Sequence, residues 1–197
     1  DALAEAGGTT PAKLTAKLHY VEHHVAHVAS AFYCSPFDEA AVLSLDGLGD
    51  FASMLWGSAS GRDIEVGGRV MFPHSLGLYY TAITQYLGFP RYGDEYKVMG
   101  LAPYGDPMYG DVFDRIVRPD GELGFKLGMD YFRHQKVGPE VSWRSGEPTM
   151  PTLFGQGLVD ALGPAREPSE SLNQHHYDVA ATLQERLETV VYQIVGE

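Results

Sequence analysis

Cysteine is nearly missing from this chain: Cys34 stands alone in 197 residues. No intrachain disulfide can form, which suits a reducing cytoplasm. Clusters of Lys or Arg are missing too, and the formal net charge is −12. Such a field repels a phosphate backbone or an anionic membrane surface, which argues against nucleic acid or membrane as a primary partner. A local anion site survives that argument, because backbone N–H groups and a metal can hold phosphate in an acidic protein. No run of roughly 18 apolar residues exists to span a bilayer. The opening "DALAEAGGTT" has no basic stretch followed by an apolar one, so no signal peptide is expected. Internal repeats and low-complexity tracts are not visible. There is no initiator Met, and "YQIVGE" ends inside a helical pattern, so the chain reads as an excerpt of a longer one.

What is present is ordinary globular material. Hydrophobic residues make up 44% and aromatics 12%, enough for one sizeable core or a large part of a bigger domain. After "EAGGTTPAKL", the piece "KLHYVE" reads as extended. A helix follows with Val25, Val28, Ala29 and Phe32 on its faces, stopped near Pro36. "AAVLSLD" has the length and composition of a buried central strand. "DGLGD" turns the chain, "FASMLWGSA" returns as its antiparallel neighbour, and "DIEVGGRVM" is a third strand. From Ser75 the period becomes helical through Leu87, ended by Gly88 and Pro90. "RYGDEYKVMGLAPYGDP" reads as helix edge plus loop, "PMYGDVFDRIV" as a weak helix and "GELGFKLGMDYF" as a strand pair. Residues 134–171, dense in Pro and Gly, read as a long surface loop or substrate-side excursion. "DVAATLQERLETVVYQIV" carries an apolar stripe at 3.6-residue spacing. The order of strands and helices suggests an α/β layer arrangement.

Three segments carry chemistry. In "HHVAH", His23 and His27 are four residues apart and share a helix face, a spacing that lets two imidazoles converge on a divalent metal. The same pattern also suits two surface histidines. "LSLDGLGD" delivers Asp46 at a strand end, while Gly47 and Gly49 let the backbone turn tightly near a ligand. A plain hairpin turn reads the same way. "YGDEYKVMGLAPYG" sets Glu95 and Lys97 beside Asp94, either as a ligand-side cation held by acids or as a solvated charge pair. The remaining histidines, His19, His74, His134, His175 and His176, read as solvent or core residues. Tyr79, Tyr80 and Tyr86 read as core or rim.

Taken together and in this order, "VEHHVAHVASAFYCSPF", "LSLDGLGD" and "GDEYKVMGLAPYGDP" resemble the O-carbamoyltransferases of the nodulation and antibiotic-tailoring type. The likeness runs from about Tyr20 to Pro107 and returns in "YDVAATLQERLE"; it is slight between residues 108 and 170. It implies part of an actin, sugar-kinase and chaperone-like domain, a mixed sheet flanked by helices. In that family carbamoyl adenylate is made from carbamoyl phosphate and ATP in a separate YrdC-like domain. The carbamoyl group then passes to a hydroxyl of a small-molecule acceptor, with a metal usually assigned as iron(II). Carried over by motif, His23 and His27 match metal ligands and His24 matches a position with no assigned metal bond. Asp46, Gly47, Gly49 and Asp50, with Glu95 and Lys97, match segments near the nucleotide or carbamoyl adenylate. The family's first strand, a further acidic metal ligand and the YrdC-like domain are expected outside residues 1–197, so this piece is expected to be inactive alone. Two rival readings stand beside this one. The first is the hydrogenase-maturation carbamoyl enzyme, which shares the His motif but lacks a counterpart to "EYKVMGLAPYG". The second is a non-catalytic nucleotide-binding module, which has no need of the paired His.

Overall fold

The computed structural model describes residues 2–15, 17, 19–144 and 146–196. A short helix α1 (Ala2–Ala6) precedes the extended approach to α2 (His23–Phe32). Leu18 of "KLHYVE" lies outside the described residues. The described remainder is not a strand: Tyr20 and Val21 are largely exposed and no ladder pairs them. Helix α2 begins where Glu22 caps it, its two carboxylate oxygens accepting from the N–H groups of His24 and Val25 at 3.1 and 3.0 Å. Burial raises the Glu22 pKa, but these N–H groups and nearby Arg69 more than offset it and hold the group low.

Strands β1 (Glu39–Gly49), β2 (Ala52–Ser60) and β3 (Asp63–Met71) form an antiparallel meander in that order. The expected pairing of "AAVLSLD" with "FASMLWGSA" is present, with Leu43 opposite Trp56 and Gly49 opposite Ala52. The expectation of a buried central strand is corrected. Among the described residues β1 is an edge, with alternating exposure, and β2 is the buried centre. An apolar run does not say which neighbour it will have, only that it can be buried.

Helix α2 covers one side of this sheet, where Val28 and Phe32 are buried, as are Leu55 and Ala59 of β2. The other side joins the main core through Met54, Val70 and Leu43. There the sheet meets α3 (Leu76–Tyr86), whose buried tyrosines agree with a core role. Tyr79 donates its hydroxyl to the Leu183 carbonyl and Tyr80 to the Gln184 side chain. Those partners lie on α8 (Gln174–Val195), the long apolar-striped helix read from the sequence, begun by a reciprocal cap between Asn173 and His176.

Between α3 and α8 come α4 (Glu95–Leu101), α5 (Gly110–Ile116), β4 (Val117–Pro119), β5 (Phe125–Leu127), α6 (His134–Val137), β6 (Ser142–Arg144), β7 (Glu147–Thr149) and α7 (Gln156–Leu162). "GELGFKLGMDYF" is not a hairpin of its own: β5 pairs back with β4, and Met129–Tyr131 is a 3-10 turn. Nor are residues 134–171 simply a surface loop. Leu153 and Leu158 are fully buried, and α6, α7 and the β6–β7 hairpin lie within the segment. Frequent Pro and Gly broke the periodicity there without removing the apolar anchors. The architecture is mixed α/β, and its paired strands are antiparallel rather than a mixed sheet. No described helix is long and apolar enough to cross a membrane.

Candidate metal centre

The tip of the β1–β2 hairpin sets the site. Asp50 and Phe51 occupy the turn with φ of 49° and 64°, the pair of left-handed residues that a two-residue type I′ turn requires. Just before it, the pairing register shifts between Leu45 and Gly49, so Asp46, Gly47 and Leu48 leave the regular ladder. Such a bulge re-aims side chains. Here it turns Asp46 toward α2.

His23 Nε2 lies 2.6 Å from Asp46 Oδ2, His27 Nε2 lies 3.4 Å from the same oxygen, and the two Nε2 atoms are 3.0 Å apart. The rings meet edge to face with centroids 4.5 Å apart. Three Lewis-basic atoms therefore converge at one point. A proton on His23 Nε2 can satisfy one neighbour but not both. A divalent cation can satisfy all three, since bonds near 2.0–2.2 Å put neighbouring ligand atoms roughly 3.0–3.4 Å apart. Two of the three separations match that span, while the 2.6 Å His23–Asp46 contact is a hydrogen-bond distance that metal binding would open. The residues present fit a metal, in the two-His, one-carboxylate pattern that leaves positions open to other ligands. Burial alone would raise the Asp46 pKa. The hydrogen bond from His23, the Gly47 N–H and the two imidazoles outweigh it and hold the carboxyl below its usual range.

Several neighbours fix this geometry. Asp50 accepts the His23 backbone N–H at 2.8 Å, so it caps α2 as well as shaping the turn. Gly49 is required for His23, because a Cβ there would overlap the imidazole. His24 is fully buried. Its Nε2 donates to the Ala52 carbonyl at 3.0 Å, which leaves Nδ1 to accept from the Ser44 hydroxyl at 2.9 Å. That ring ties α2 to β1 and β2 at once. On the far side of Asp46, the Ser75 hydroxyl donates to the Gly47 carbonyl at 2.6 Å and accepts from Leu78 N–H, beginning α3. A Cβ at Gly77 would lie 2.7 Å from Gly47 Cα, so glycine there lets α3 start against the bulge. The N-terminus of α3 thus approaches Asp46–Gly47, a favourable field for an anionic group, whereas that of α2 is already taken by the Glu22 and Asp50 carboxylates.

The bulge also forms the floor of a cleft with two lobes. One, about 530 Å³, is bordered by Asp46, Gly47, Tyr80, Thr81 and Glu95. The other, about 670 Å³, is bordered by His23, Asp46, Phe51, Phe72 and Glu140. Tyr92 and Met150 border both. Of the residues singled out in the sequence, the fold brings His23, His27 and Asp46 together, and Gly47 and Glu95 line the cleft beside them. Glu95 accepts from the Thr81 hydroxyl at 2.6 Å. Lys97 does not border either lobe. It pairs with the nearly buried Asp94 and packs over Phe89 and Tyr96. The sequence reading missed two contributions. Asp46 can itself be the carboxylate of the His pair, where the resemblance put the acidic ligand outside residues 1–197. Phe72, Glu140 and Met150 reach the cleft from segments with no motif.

The carbamoyltransferase N-terminus family matches residues 1–196. An uncharacterized protein of Synechocystis is 40% identical over 195 residues, 98% of this chain and 29% of its own length. Nodulation protein NolNO of Sinorhizobium fredii is 34% identical over 180 residues, 91% of this chain and 23% of its own. Nodulation protein NolO of Bradyrhizobium diazoefficiens is 37% identical over 175 residues, 87% of this chain and 27% of its own. The chain thus spans less than a third of these relatives. The likeness seen in three motifs extends across the whole chain, which belongs to the carbamoyltransferase N-terminus family.

Proposed function

We propose that this chain is the metal-bearing part of an enzyme that moves a carbamoyl group from carbamoyl adenylate to a hydroxyl of a small molecule. The observation that carries the reading is the convergence of His23, His27 and Asp46 on one point at the edge of a cleft large enough for a ligand. Membership of the family supports the chemistry. The same convergence favours a metal enzyme over a non-catalytic nucleotide-binding module, which needs no such triad.

In this reading His23, His27 and Asp46 hold a divalent ion, iron(II) by the family likeness, with any further ligand supplied from outside residues 1–197. When bound, the ion supplies Lewis acidity toward a carbonyl or phosphate oxygen. The chain's own groups do the rest. Gly47 keeps the cleft floor open, with nothing within 4 Å of where a Cβ would sit, and the N-terminus of α3 favours negative charge there. Asp50 and His24 keep the two imidazoles aimed at Asp46. Glu95 and the Thr81 hydroxyl line the neighbouring lobe, where the uncharged adenosine portion is placed. Leu, Met and Tyr side chains on the cleft walls offer apolar contact to a bound ligand. Carbamoyl adenylate itself is made from carbamoyl phosphate and ATP in a YrdC-like domain elsewhere in the complete protein. The present segment belongs to an actin and sugar-kinase-like fold, working in the cytoplasm.

A divalent-metal titration of the complete protein tests this. His27→Ala and Asp46→Asn are expected to weaken metal binding by more than roughly 10–100-fold, the range seen when even an outer partner is lost. Carbamoyl phosphate-dependent turnover of ATP should continue where adenylate is formed, while transfer to a hydroxyl stops. Wild-type metal content in either variant would sink the metal assignment.

A further inference from the structure

The lobe beside His23 has no occupant in the reading above, and its walls describe one. Phe51 is the clearest signal. It holds the second position of a type I′ turn, directly after Asp50, with φ of 64°. That position favours glycine, and Asp-Gly is among the preferred pairs, whereas a bulky side chain there is disfavoured. Its ring is not needed by the core, since Phe51 is 75% exposed. Backbone held in an uncommon conformation is found where function over-determines it. The ring borders the lobe together with Phe72 and Tyr92, giving an aromatic wall next to the candidate metal ligands.

Charge supplies the second signal. Among the described residues bordering the lobe there is no Lys or Arg; its acidic members are Asp46 and Glu140. The Glu140 carboxylate folds back against Gly138, where a Cβ would overlap Oε2, so it is carried on the wall rather than away from it. The whole chain adds a net charge of −12. His23 and His134 are the only cation-forming side chains among the described residues that border the lobe.

We propose that this lobe is the pocket for the hydroxyl-bearing acceptor, and that it takes a small molecule with an apolar face that is neutral or positively charged, Phe51 reading the face and Glu140 the charge. The proposal rests on the carbamoyl-transfer reading. It assigns the other lobe, which holds Glu95 and Thr81 and also has no Lys or Arg among its described residues, to the uncharged adenosine part of the adenylate, with the phosphate beside the candidate metal ligands.

The test uses three matched probes on the complete protein: cyclohexylmethanol, the same alcohol carrying a ring aminomethyl group, and the same alcohol carrying a ring carboxylate. Affinities are read by ligand-observed NMR titration, with carbamoyl phosphate-dependent ATP turnover followed in the same preparations. The amine is expected to bind at least as tightly as the neutral alcohol, and the carboxylate roughly fivefold more weakly, the span of one exposed ion pair. Glu140→Lys should reverse the order of amine and carboxylate. Phe51→Gly should keep or raise the melting temperature, because it creates a favoured turn, yet weaken the neutral and amine probes roughly three- to tenfold. No binding of any probe, an order unmoved by Glu140→Lys, or unchanged affinity in Phe51→Gly overturns the proposal. Turnover with no probe selectivity overturns the pocket alone. Selective binding without turnover overturns the transfer reading, and the acceptor role falls with it.

Discussion

Gly49 and His23 show how one missing side chain sets a functional geometry. The imidazole occupies the space a Cβ at residue 49 would need, and in that position it reaches Asp46. Gly49→Ala is therefore expected to displace the His23 ring rather than the hairpin. Overpacking of this kind costs about 1–3 kcal/mol. Metal affinity should fall along with that stability, as read by metal titration and chemical denaturation of the same sample. Retained affinity would mean that the ring can turn aside without losing the site. At the same scale, His134 predicts an acid sensitivity. It is fully buried and its Nε2 donates to the Pro73 carbonyl at 2.7 Å, while Nδ1 has no partner among the described residues. Burial, aided by the charge of His74, pushes its pKa below the usual histidine value, against the opposing pull of the Pro73 carbonyl. The unfolded chain, with an ordinary value of about 6.5, binds the proton first. The stabilisation is complete above that value and is lost as pH falls below it. Denaturation midpoints should drop as pH falls below about 6.5 in the wild type, and less steeply in His134→Gln.

At the scale of elements, the site depends on the register of α2 against the hairpin. His24 is the fastener, with one ring nitrogen on β1 and the other on β2. His24→Ala leaves the Ser44 hydroxyl and the Ala52 carbonyl without that partner and opens a cavity. The expected loss is about 2–4 kcal/mol of stability, more than from most surface changes. The motif position that bears no metal bond is thus predicted to matter through stability. A denaturant midpoint equal to the wild type would show that α2 is held by Val28 and Phe32 alone.

At the scale of the molecule, the chain spans 23–29% of the relatives described above. Its core is continuous from the β1–β3 sheet through α3 to α8, so the segment carries a folded framework for the cleft. The adenylate-forming domain lies outside it in the proposed reading. Residues 1–197 alone are therefore expected to give no carbamoyl transfer from carbamoyl phosphate and ATP. Turnover by this segment above a buffer control would place the whole chemistry here and remove the need for a second domain.

Local pattern alone determined a good part of this protein. The span of α2, the β1–β2 pairing, the stripe of α8 and the shared face of His23 and His27 all follow from spacing, although the hairpin turns at Asp50–Phe51 rather than over Gly47–Asp50. Spacing reports which side chains point the same way along one element. It is silent on what lies opposite. That β1 would be an edge and that Leu153 and Leu158 would anchor a Pro- and Gly-rich stretch were decided by packing between elements distant in sequence. The site divides along the same line. Two imidazoles four residues apart are a property of one helix. Their meeting with Asp46 required a bulge in the neighbouring hairpin, a glycine that makes room for a ring, and a buried histidine that fixes how far the helix sits from the strand. Those are distances between elements, and only the folded chain has them.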